Sequence, residues 1–248
     1  MKSFSQYITE KPLSHKQNLD EGVFDPGIFK AIFLAGGPGS GKSYVAGKTT
    51  RGLGLKLINS DDTLERLLIK HNVPLDFATM SPAQTAQKDT LRTRAKELTF
   101  GQMKVKKFKG KGALDHYIHG RLGLVIDGTG REFDDIHRQA SYLKNIGYDT
   151  YMIFVNTSEQ VALERNAARP RKLKPEMVKQ MWLAVQQNIG RFQAYFRPSN
   201  FIIIDNNNAK EDAFNKVSKR IRGLVKKKIT NPVAQQWIAA QMQARRRL

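Results

Sequence analysis

The 248-residue sequence contains no cysteine. That excludes disulfides, thiolate metal sites and cysteine nucleophiles together, and it fits a reducing compartment. No apolar run approaches the roughly 20 residues needed to cross a bilayer. The opening stretch Met1 to Glu21 is polar and has no hydrophobic signal region. The expectation is a soluble, cytoplasmic protein with no membrane partner. Acidic residues are scarce too: 22 Asp and Glu stand against 42 Lys and Arg, a formal net charge of +20. Such an excess attracts polyanions through long-range fields and counterion release. Nucleic acid is therefore the first partner to consider, against the plainer reading of a generally basic surface. Apolar residues still make up 40% of the chain, too many for a wholly disordered one.

Five short apolar runs read as buried strands: FKAIFLA (29–35), LKLIN (55–59), LGLVI (122–126), TYMIFV (150–155) and FIII (201–204). Amphipathic stretches lie between and after them. Phe133, Ile136, Ala140 and Leu143 share one helical face. So do Val178, Met181, Val185, Ile189, Phe192 and Phe196, and then Ala213, Phe214, Val217, Ile221 and Leu224. Strands alternating with such helices predict right-handed crossovers and a sheet covered on both faces. The expected fold class is α/β: three layers around a mostly parallel five-stranded sheet, over residues 28–225.

Three segments fall outside that rhythm. Residues 1–27 read as a polar leader ending in the turn Asp25-Pro26-Gly27. Residues 81–112 read as a basic insertion, in which Ser81-Pro82 caps and opens a polar helix expected to reach about Phe108. It carries Lys88, Arg92, Arg94, Lys96, Lys104, Lys106 and Lys107, with Phe100 and Phe108 placed for stacking. It is either a phosphate-tracking surface or a solvated charged helix. Residues 226–248 open with Lys226-Lys227-Lys228 and continue, after Asn231-Pro232, as a helix with Val233, Trp237, Ala240, Ala244 and Leu248 in one stripe. That helix either docks on a protein partner or packs back on its own domain.

The chemistry is concentrated at the ends of the predicted strands. Gly36-Gly37-Pro38-Gly39-Ser40-Gly41-Lys42-Ser43 is a full GxxxxGK[ST] match, entered by a strand and followed at Tyr44 by a helix. In such a P-loop, backbone amides at a helix N-terminus surround phosphate oxygens. Lys42 is placed to reach the β and γ phosphates and Ser43 to hold Mg²⁺. Asp61 and Asp62 follow the second strand, at the carboxyl edge where ligands bind in parallel sheets. Asp61 is a candidate general base for an attacking hydroxyl, and either carboxylate is also a candidate N-cap. The third strand ends in Asp127-Gly128-Thr129-Gly130, either a Walker B-like element for Mg²⁺ or acceptor, or a simple strand-end turn. Arg165 and Arg169, four apart and followed by Pro170, Arg171 and Lys172, read as lid arginines or as a solvated helix end.

Together GGPGSGKS, INSDD, VIDGTG and ERNAARPRK resemble the P-loop kinases that include 5′-polynucleotide kinases and zeta-toxin-like kinases, over about Phe29 to Asp205. The resemblance implies a P-loop NTPase/kinase fold, with ATP and Mg²⁺ as cofactors. Gly36 to Tyr44 and Arg169 would contact the nucleotide, Ser43 and Asp127 the metal. Asp61 would act as the base, with Lys42, Arg165 and Arg169 stabilising the transferring phosphoryl group. The implied acceptor is a nucleic-acid 5′-end or a nucleotide. One departure opens that point: polynucleotide kinases carry an arginine three residues after the base, where this sequence has Leu64, and Arg66 lies on a different helix face. A zeta-toxin-like kinase of a small metabolite and a non-catalytic nucleotide-binding scaffold are the other readings. The opening MKSFSQYITE resembles leaders of some large tailed-phage proteins, which would make the expected location a host cytoplasm or a virion.

Overall fold

Each apolar run becomes a strand: β1 (Lys30–Ala35), β2 (Lys56–Ile58), β3 (Leu124–Asp127), β4 (Asp149–Asn156) and β5 (Phe201–Asp205). The computed structural model describes residues 23–246 except 51, 105, 106, 108, 209 and 210. Most of the expected leader therefore lies outside the described residues, as do Phe108 and Leu248. The helices are α1 (Lys42–Thr50), α2 (Ser60–Lys70), α3 (Pro82–Phe100), α4 (Ala113–His119), α5 (Phe133–Asn145), α6 (Glu159–Ala167), α7 (Pro175–Gln187), α8 (Ile189–Phe196), α9 (Glu211–Val225) and α10 (Pro232–Arg245).

The strands form one sheet in the order β2-β3-β1-β4-β5, and all of its pairings are parallel. The sheet is thus fully, not mostly, parallel. β1 lies at its centre with all six residues buried. Alternation along a strand sends its side chains to two layers. Ala31, Phe33 and Ala35 meet Ile136, Ala140, Phe192 and Phe196 on one side. Ile32 and Leu34 meet Val45, Ala46, Phe214 and Ile221 on the other. A smaller core of Leu64, Leu68, Val73, Leu91 and Ala95 joins α2 to α3. The result is a three-layer α/β fold whose strand C-termini all open on one edge.

Three helical expectations need correction. The basic helix stops at Phe100, eight residues early, because Gly101 adopts φ 54° and a Cβ there would overlap the Asp115 carboxylate. Phe100 is fully buried under Lys104, whose Nζ lies 4.1 Å from the ring centre, so Phe100 offers no stacking surface. The long amphipathic face of residues 178–196 is split into α7 and α8 at Asn188. The Asn188 amide donates to the Gly130 and Arg131 carbonyls at 3.1 and 2.7 Å. In α10 the inward face is Ala234, Trp237 and Ile238, whereas Val233, Ala240 and Ala244 face solvent. Trp237 meets Phe29 edge-to-face at 5.5 Å, so the helix packs back on its own domain.

Candidate functional site

β1 delivers its chain into the glycine loop at the sheet's centre. Gly36 N–H donates to Thr129 O (3.1 Å) and Gly128 N–H to Leu34 O (3.1 Å), which stitches the loops after β1 and β3 together. Gly39 has φ 74°, and a Cβ there would stand 2.4 Å from Ala162 O, so this position requires glycine. Helix α1 begins at Lys42, and Ser43 and Tyr44 on its first turn are exposed. The Lys42 ammonium donates to Gly36 O at 2.7 Å and reaches Gly37 O at 3.4 Å. Burial pushes it below the usual lysine range. Asp127 and Asp61 oppose that shift, and Arg169 and Arg171 add to it. The groups that act on Lys42 are those the sequence singled out, together with Arg171.

On the β2–β3 side the organising residue is Asn59. Its side-chain oxygen caps α2 by accepting the Asp61 N–H at 2.8 Å. Its amide donates to Asp62 Oδ1 at 3.1 Å and to Asp127 Oδ2 at 3.2 Å. The cap is therefore Asn59 and neither aspartate. Asp61 and Asp62 sit in the first turn of the helix, where the macrodipole favours negative charge. Burial raises Asp127 to about 6. Lys42 pulls against that shift, and Asp61 and Asp62 reinforce it. Asp127 Oδ1 and Ser40 Oγ are buried with no partner among the described residues.

Ser43, Asn59, Asp62 and Asp127 line one cleft of about 520 Å³. Among the described residues no group of three or more His, Asp or Glu side chains converges on a metal position. One orphaned carboxylate oxygen and one exposed hydroxyl fit Mg²⁺, which keeps most of its ligands as water and phosphate. They fit poorly with a metal caged by protein alone.

The lid side brings a second set of groups. Arg165 donates to Asn206 O (2.8 Å), Asn207 O (3.1 Å) and Gly39 O (3.5 Å), tying the loop after β5 to the glycine loop. Arg169 lies two residues beyond the end of α6, so the two arginines do not share a helix face. They nonetheless line one cavity of about 400 Å³, with Gly39, Gly41, Tyr44, Asn206 and Phe214. Arg171 was not among the expected site residues. It reaches across the cleft to Asp61, donating to Oδ2 at 3.0 Å and to the carbonyl at 3.4 Å. The Asn206-Asn207-Asn208 run was missed as well. Its position directly after an apolar strand at the ligand-binding edge was the available signal. Arg66 makes long contacts of 3.4 Å to Asp62 O and Thr63 Oγ1, and Leu64 is buried.

The family model described as an AAA domain, AAA_33, matches residues 32–191. No curated protein matches. A crystal structure of a candidate kinase from Chloroflexus aurantiacus J-10-fl aligns with TM-score 0.52 and 14% identity, over 79% of this chain and 95% of that one. A gluconokinase from Sinorhizobium meliloti 1021 aligns with TM-score 0.47 and 12% identity, over 80% and 94%. At 14% identity the first of these likenesses speaks to fold alone, while the residues matched by the family take in the glycine loop, Asp61, Asp127 and the lid arginines. The chain belongs to the AAA_33 family of P-loop NTPase domains.

Proposed function

We propose that the protein is an ATP-dependent kinase that moves the γ-phosphoryl group of ATP to a hydroxyl acceptor. The observation that carries this reading is the clustering at the sheet's C-terminal edge: Lys42 on the glycine loop, Asn59 tying Asp127 to the helix turn that carries Asp61, and Arg171 paired with Asp61. A phosphoryl-transfer site requires that pairing of cations for the transferring group with a carboxylate for the acceptor proton. The cavity of Tyr44, Arg165 and Asn206 would take the nucleobase of ATP, and the amides of Gly39 to Lys42 would hold its phosphates. Mg²⁺ on Ser43 and Asp127 supplies charge neutralisation when bound. Asp61 accepts the acceptor's hydroxyl proton as the new O–P bond forms. The bond between the γ-phosphorus and its bridging oxygen breaks, and ADP leaves with that oxygen. Arg171 must turn from Asp61 to the substrate, so the lid contact is a resting arrangement.

The first acceptor class is a nucleic-acid 5′-end or a nucleotide, supported by the net charge of +20. A small-metabolite acceptor is the second reading, and the state of α3 favours it. Lys88 and Arg92 are engaged by Asp89 and by the Phe77 ring, and Arg94 by Glu97. Transfer from γ-labelled ATP to a panel of 5′-hydroxyl oligonucleotides, nucleotides and sugars tests both. Labelled oligonucleotide whose formation falls steeply with salt supports the first acceptor, and a salt-insensitive sugar product supports the second. ATP binding with transfer to none of them would leave only a nucleotide-binding scaffold.

A further inference from the structure

Part of the positive excess lies on α9 and the turn after it, which run away from the glycine loop. After Asp212 the sequence has ten Lys and Arg and no Asp or Glu. Helix α9 organises the first of these. Phe214, Ile221, Leu224 and Val225 turn inward, leaving Lys216, Lys219, Arg222 and Lys226 exposed. At 1.5 Å per residue, Lys216 to Lys226 spans about 15 Å, and Lys227 and Lys228 extend the line. The helix also leads away from the site. Phe214 packs on Tyr44 beside the glycine loop, whereas Leu224 O accepts the hydroxyl of Tyr151, in the first half of β4.

Among the acids nearest in the fold, Asp212 lies exposed in the first turn of α9, one turn before Lys216, and three others are engaged. Glu211 pairs with Lys48 at 3.3 Å, Asp205 accepts from Asn207, and Asp149 holds Lys30 at 2.6 Å. We propose that the outer face of α9 and the Lys226–Lys228 turn form a second anion-binding surface, which takes the phosphate backbone of a nucleic acid outside the catalytic cleft. A duplex presents one charge per roughly 1.7 Å of axis, so a 15 Å row of cations meets several phosphates at once. A lipid headgroup layer fits less well, because interfacial helices place large apolar side chains beside their cations. Those of α9 are buried in the core. This surface would hold a polynucleotide through its backbone, independently of base sequence.

The test is anisotropy of a fluorescein-labelled DNA of about 20 nucleotides, as single strand and as duplex, titrated with the full chain between about 50 and 200 mM salt. The variant carries Lys216→Ala, Lys219→Ala, Arg222→Ala and Lys226→Ala. Its expected affinity is at least about tenfold weaker, with a log–log salt slope shallower by about 3 to 4. Its melting temperature and ATP affinity stay unchanged. If that variant melts early, Lys226→Ala, Lys227→Ala, Lys228→Ala on the exposed turn gives the same reading. Lys42→Ala separates this inference from the kinase proposal, since it should lose transfer and keep DNA binding. Three results overturn the surface: wild-type protein that binds neither DNA, charge-removal variants with unchanged affinity and slope, and binding of phosphatidylserine vesicles in the absence of DNA binding.

Discussion

Gly39 and Asp127 show what single residues contribute to the site. At Gly39 a side chain meets both a left-handed backbone and the Ala162 carbonyl. Gly39→Ala should cost about 2 kcal/mol of stability and weaken ATP binding at least about tenfold, checked by thermal unfolding and calorimetric titration. At Asp127 the carboxyl is raised to about 6 from 3.8, chiefly by burial. A carboxyl raised in the folded state destabilises that state once ionised. The penalty is full above pH 6 and disappears as pH falls toward 4. Asp127→Asn, in Mg²⁺-free buffer, should therefore gain about 2 kcal/mol at pH 7.5 and almost nothing at pH 4. A gain independent of pH in urea unfolding would contradict it. The motif residues were legible because local spacing specifies them. The Arg171–Asp61 contact was not, because it joins positions 110 residues apart and nothing in either stretch names the other.

At the scale of elements, strands were easier to read than helix ends. Five apolar runs produced five strands within about two residues of their expected bounds. Burial on both faces leaves an unbroken hydrophobic run in β1, β3 and β4, and the edge strands β2 and β5 keep apolar residues although Leu57 and Ile203 are exposed. Helix α4 was missed because seven residues in a glycine-flanked stretch carry little periodicity. The expected stripe of α10 kept Trp237 but exchanged Val233 and Ala240 for Ala234 and Ile238, because its fit to the core follows Phe29 and Gly147. That contact makes a prediction. Trp237→Ala should lower unfolding free energy by about 2–3 kcal/mol, read from the urea midpoint. An unchanged midpoint would mean that α10 does not rest on the sheet.

Over the whole molecule, the sequence pattern and the family match agree on one P-loop domain whose strand C-termini gather Lys42, Asp61 and Asp127 at one edge. The acceptor stayed illegible for a physical reason. In the proposed mechanism the groups facing it come from α2, the loop after β3 and the lid, and their side chains are set by tertiary contacts such as Arg171–Asp61 that no single segment encodes. The account turns on Asp61 acting on the acceptor while the P-loop holds the nucleotide. Its most direct test measures ATP affinity and single-turnover phosphoryl transfer side by side for wild type and Asp61→Asn. ATP affinity within about threefold, with transfer slowed by about 100-fold or more, is the predicted result. An Asp61→Asn protein that transfers at the wild-type rate, or a wild type that does not bind ATP, would contradict it.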